Sequence, residues 1–306
     1  MELRSIFASS PARGWLPWGL LAPIVCLALA IATQLPTELL LERLGFIDGN
    51  GDTIGTTGFM AFLLAPFSVW GLVVLAWVLL IERRTLATIG LTKPGGAKTV
   101  FGGLLIGVAT ISAVVFMIWL AGAYQAQRLV PAFADPGGLL SIAILLACFA
   151  LQSSVEEIIF RGWLLSVITR RMNLVFAVLL SSALFTLLHF TPGQPLLVTG
   201  NLVLFSVFAC FWAIASNNVW GVMGWHAGWN WMLATGFEVP VTGIDAHVPA
   251  LAVTLAPIGS DFLTGGAQGP EGSIMCTLFF VCGIVFFGWR ISKNPERRRS
   301  QHGAAY

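Results

Sequence analysis

The sequence predicts an all-α protein, a polytopic helical bundle embedded in a membrane, on three observations. Hydrophobic residues make up 57% of the 306-residue chain and charged residues 10%. Mean hydropathy is +0.86, far above the soluble average. Apolar runs long enough to span a bilayer recur along the chain, each of about 20 residues.

These runs are 16–35, 58–81, 100–124, 138–168, 173–190, 199–216, 219–235 and 273–291. Eight spans use up the chain, so residues 1–306 are expected to form one membrane domain with no separate soluble part. The first run follows a short basic segment and carries Ala28, Ala30 and Ala32, so it also imitates a cleavable signal peptide. Its loss would leave seven spans and break the even-span arrangement that the charges support. One long Gly- and Pro-rich loop, 236–272, separates the last two runs.

Charge placement orients the spans. The N-terminal segment, residues 82–98, the Arg170/Arg171 turn and the C-terminal tail fall on one side and hold 13 of the 16 basic residues. Nine of the 14 acids fall on the other side. By the positive-inside rule both termini are predicted cytoplasmic, in a multi-pass protein of the inner (plasma) membrane. Net charge is only +2 and the basic residues are scattered, which excludes nucleic acid as a partner. The Arg297 to Arg299 run reads as a stop-transfer anchor, with anionic headgroups as an alternative contact. Cys26, Cys148, Cys210, Cys276 and Cys282 all fall in apolar segments without CxxC spacing and read as small core residues.

Chemistry enters with the fourth run, which carries Glu156, Glu157 and Arg161. One ionised side chain at a bilayer centre costs roughly 2.5–3.5 kcal/mol on insertion scales, so such groups line polar cavities or pair. Helical spacing lets Glu157 pair with Arg161 while Glu156 points about 100° away. A purely structural ion pair with Glu156 as bystander fits the same three residues. In the fifth run Phe185 and His189 share a helix face, and in the seventh His226 and Asn230 share another, flanked by Trp225 and Trp229. Helix-packing polar groups or an interfacial aromatic belt would account for each taken singly. Taken together, two of the chain's four histidines accompany its only two intramembrane acids.

Other protease signatures fail on inspection. Gly49-Asn50-Gly51-Asp52 spells GxGD, but neither Tyr124 nor Tyr306 precedes an aspartate. Asp48, Asn50 and Asp52 imitate a calcium loop, whose twelfth position is Phe59 rather than glutamate. Both are read as a Gly/Asp-rich turn.

EEIIFR at 156–161, FTLLH at 185–189 and HAGWN at 226–230 resemble the ordered EExxxR, FxxxH and HxxxN pattern of the CPBP intramembrane proteases. That family includes the type II CAAX prenyl endopeptidases and bacterial bacteriocin-processing or immunity proteins. The resemblance covers about 138–231, and RTLATIGL (84–91) and TGGAQGPEGSI (264–274) also look like bacterial members. It implies an endopeptidase acting on a membrane-associated protein or peptide within the lipid bilayer. Glu156 and His189 would activate water, His226 and Asn230 would stabilise the oxyanion, Glu157 and Arg161 would support them, and Phe185 would pack the cavity. Family members are named metalloproteases, although a metal-free glutamate mechanism is also proposed. Glu156, His189 and His226 are the donor types zinc accepts, on three helices and without HExxH spacing. The alternatives are a catalytically silent scaffold or immunity protein, and a small transporter.

Overall fold

The computed structural model describes residues 6–92 and 95–293. Arg4, Lys93 and Arg297 to Arg299, counted above in the charge asymmetry, lie outside the described residues.

Helices occupy all eight apolar runs. They are α1 (Leu21–Arg43), α2 (Gly55–Ala76, continued by a π-helical turn Trp77–Ile81), α3 (Gly96–Leu120) and α4 (Pro136–Glu157). Helix α4 runs through a π-helical stretch, Ile158–Leu164, into α5 (Leu165–Arg171). Then follow α6 (Leu174–Leu188), α7 (Leu196–Ser216) and α8 (Trp220–Gly236). Between α3 and α4 lies β1 (Tyr124–Leu129), and beyond α8 come β2 (Val253–Pro257), the short α9 (Asp261–Thr264) and α10 (Ile274–Ser292).

The all-α bundle stands, with one small antiparallel ribbon in which Tyr124 faces Pro257 and Leu129 faces Val253. The predicted count of eight spans is not reached on length and composition. Among the described residues six helical segments are long and apolar enough to cross a membrane, whereas Leu174–Leu188 has 15 residues and Trp220–Gly236 has 17. At 1.5 Å per residue these two fall short of a hydrocarbon core about 30 Å thick. Helix α1 departs from expectation in the other direction, running past Pro36 to Arg43. The 236–272 loop is not featureless: it contributes β2, α9 and the 3-10 turn Gly266–Gly272.

Three of the four regions assigned to one side by charge come together. Arg170 donates to the carbonyls of Ala8 and Ser10, Arg171 to those of Leu16 and Pro17, and the amides of Gly14 and Trp15 donate to Glu82 and Ile81. Next to them Glu82 and Arg84 form a fully buried ion pair at 2.8 Å. Trp163 Nε1 donates to Glu82 at 2.7 Å, and Arg84 donates to Ser166 Oγ. These bonds pin the α2–α3 connection to α5 and hold its next residues inside the bundle. Ile89 is buried with its carbonyl against Gly162, where a Cβ would collide, and Gly90 accepts the Val219 amide at the start of α8. The RTLATIGL segment thus seats the N-terminus of α8.

Helix α8 is fixed along its length by α3. A Cβ at Gly103 or Gly107 would strike the Gly221 or Trp225 carbonyl, and one at Gly224 or Gly228 would strike that of Val100 or Leu104. Two small-xxx-small faces therefore meet backbone to backbone. Trp225 and Trp229 are fully buried, donating to Thr110 Oγ1 and Glu271 Oε1, so they form no interfacial belt. Four cysteines are buried as expected, but Cys282 is exposed on α10.

Candidate active site

Glu156 and Glu157 close the last α-helical turn of α4, before the π-helical stretch. Wide turns of this kind occur often at functional sites. Ser181 of α6 donates to the Phe160 carbonyl at 2.9 Å, tying that stretch to the helix that ends in His189. The expected pair forms, with Arg161 Nη1 3.0 Å from Glu157 Oε1 and both side chains fully buried. The Arg161 guanidinium also lies over the Phe185 ring, 4.4 Å from its centroid, which offsets part of the cost of burying it.

Glu157 does more than neutralise Arg161. The same Oε1 lies 2.9 Å from His226 Nδ1, so this carboxylate orients a histidine from α8. Spacing could not reveal that bond, because it joins residues far apart in sequence. His189 is not inside a span as expected but is the C-cap of α6, where the TPGQP segment turns the chain away. Its Nδ1 lies 2.9 Å from the Phe185 carbonyl, and its ring stacks on Phe185 with centroids 4.2 Å apart.

These contacts settle both tautomers. A carbonyl oxygen and a carboxylate already engaged by arginine can only accept, so Nδ1 of each histidine carries a proton. Each Nε2 is left facing Glu156: His189 Nε2 is 3.5 Å from Oε1 and His226 Nε2 is 3.8 Å from Oε2. Glu156 is 3% exposed and its Oε2 accepts no hydrogen bond. With neutral histidines, Glu156, Glu157 and Arg161 carry one net negative charge.

Two adjoining cavities, of about 480 and about 70 Å³, meet at this carboxylate. The larger is within the size range of small-ligand pockets. Both are lined by Gln152, Glu156, His189, Asn230 and Thr242, while His226 lines only the smaller. Phe185 is buried against His189, 2% exposed, and lines the smaller cavity. Gln152, one turn before Glu156 and 3.5 Å from Asn230 Nδ2, and Thr242 escaped the sequence reading, although the four-residue step from Gln152 to Glu156 was visible there. Thr242 is held by Glu271, which accepts from its amide and hydroxyl, so the TGGAQGPEGSI segment shapes the cavity.

Glu156, His189 and His226 suit zinc in kind, since a metal-binding histidine commonly spends its other ring N–H on a carbonyl or carboxylate. Among the described residues, however, no three or more His, Cys, Asp or Glu side chains are gathered so as to hold an ion as they stand.

Several apolar helices long enough to cross a membrane define a multi-pass membrane protein, with a carboxylate flanked by two histidines at a buried cavity. Residues 138–232 match the family model of Rce1-like type II CAAX prenyl endopeptidases, which bears out the resemblance read from the three motifs. At the level of that family the match supports an intramembrane protease. No curated protein and no solved structure was found to match the chain.

Proposed function

We propose that the chain is an intramembrane endopeptidase of the CAAX-protease type, in which Glu156 and His189 activate water for attack on a peptide bond of a membrane-associated substrate. One observation carries this reading: a buried carboxylate with an unengaged oxygen faces the Nε2 atoms of two histidines from two other helices, at the wall of a cavity. Water donating to Glu156 and to His189 Nε2 keeps a lone pair for the substrate carbonyl. As the C–O bond forms, Glu156 takes the proton. The developing oxyanion is met by the Asn230 amide and, in the imidazolium form, by His226 Nε2–H. Collapse breaks the C–N bond while the proton held on Glu156 passes to the leaving amine. Comparing the proteomes of membranes carrying the parent and Glu156→Gln tests this: substrates should accumulate uncut in the variant, and identical proteomes would favour the silent scaffold.

Glu156, His189 and His226 are the residues that would hold zinc, and a bound zinc would act as a Lewis acid and make its water more acidic. The steps above use only the chain's own groups, in keeping with the open arrangement of the three donors. His226→Ala is accordingly expected to lower turnover about 100-fold without changing the metal content of the purified protein. Joint loss of zinc and turnover would make His226 a ligand instead.

We also place both termini in the cytoplasm of a cell whose plasma membrane holds the protein, on the strength of the basic regions that converge around Arg170 and Arg171. A reporter at Tyr306 and another inserted at the exposed Ile258 should show opposite accessibility. Matching accessibility would overturn this orientation.

A further inference from the structure

The larger cavity carries information about what it accepts. Helix α1 contributes Gln34 and Glu38, four residues apart and therefore on one face, to a wall shared with Glu156. Glu38 is half-buried, and among the described residues no cationic side chain pairs with it. Among the described residues the cavity walls contain no lysine or arginine; their ionisable groups are Glu38, Glu156 and His189. Glu156 itself is almost wholly buried and presents an oxygen that accepts no hydrogen bond. Apart from the uncharged polar Gln34, Gln152, Asn230 and Thr242, the remaining walls are apolar and largely aromatic, with Phe59, Phe67, Trp70 and Phe149 among them.

At a half-buried carboxylate that no cationic side chain pairs with, a positive charge delivered by a bound molecule gains an ion pair. Aromatic faces add attraction for the same cation and for apolar side chains. Resting on the endopeptidase reading above, we propose that the substrate segment is an apolar peptide bearing a lysine or arginine, with Glu38 binding that basic side chain. The same negative field works against a substrate whose own carboxylate enters the cavity, so Glu38 is a specificity-determining residue.

The test uses the full chain in lipid nanodiscs and fluorescence-quenched decapeptides of leucine, alanine and phenylalanine, with one lysine, glutamine or glutamate moved through each position. Binding is measured on Glu156→Gln protein, so that it does not depend on turnover. The best lysine peptide should bind about tenfold more tightly than its glutamate counterpart, and that ratio should fall close to one when Glu38→Gln is added. Cleavage by otherwise parent protein should show the same ratio and the same loss, and Glu38→Lys should invert it. An unchanged lysine preference in Glu38→Gln, or no preference at all, overturns the proposal. Cleavage without charge preference would overturn it and leave the endopeptidase reading intact. Lysine-selective binding that depends on Glu38, with no cleavage of any peptide, would uphold the binding site and count against the hydrolase.

Discussion

Glutamine in place of Glu156 is expected to abolish peptide hydrolysis, by about 1000-fold or to background, while folded yield and thermal stability stay at the parent level. The two halves of this expectation have separate causes. Loss of a positioned general base typically costs about 100- to 10,000-fold, and in the proposed mechanism the same group also receives and returns the proton. Stability is spared because Glu156 closes no ion pair with arginine or lysine, and its Oε2 accepts no hydrogen bond. Glutamine keeps the shape and removes a buried charge. A purified Glu156→Gln protein that cleaves peptides at the parent rate would end the protease reading.

The neighbouring glutamate should behave in the opposite way. Glu157→Gln leaves Arg161, fully buried, without the carboxylate that neutralises it, and replaces the charged acceptor that orients His226 with a weaker, neutral one. Breaking one side of a buried ion pair costs about 3–5 kcal/mol, so the variant should unfold at a markedly lower temperature in detergent and give less monodisperse protein. Replacing both partners with apolar residues is often close to neutral for stability. The double variant Glu157→Leu, Arg161→Met is therefore expected to recover much of the folded yield without recovering activity, because His226 Nδ1 then has no acceptor at position 157. Full activity in that double variant would show that the Glu157–His226 contact has no part in turnover.

How far these roles could be read in the sequence depended on distance along the chain. Glu157 with Arg161, Phe185 with His189 and His226 with Asn230 are each one helical turn apart, and helical periodicity alone puts each pair on one face. The contacts that assemble them into a site cross between helices. Glu157 meets His226 across 69 positions, and Ile89 meets Gly162 through the backbone, where side-chain identity carries little signal. The Gly224-xxx-Gly228 spacing was visible in the sequence, but its partner at Gly103 and Gly107 lies far upstream. Hydropathy likewise did not separate full-length helices from short ones, because it measures apolarity along a run and is blind to where a helix stops: α6 ends at Leu188, just short of His189.

The glycine contact between α3 and α8 divides the labour between the walls of the site. Carbonyls that already touch opposing α-carbons leave α8 no room to approach α3 and few side chains to repack if it withdraws, so His226 and Asn230 stand on a stator. Across the larger cavity, α1 buries only 22% of its most apolar window and packs mainly on α2. The looser packing is on that side: an outward displacement of α1 would widen the cavity beside Glu38 and leave His226 and Asn230 where α3 holds them.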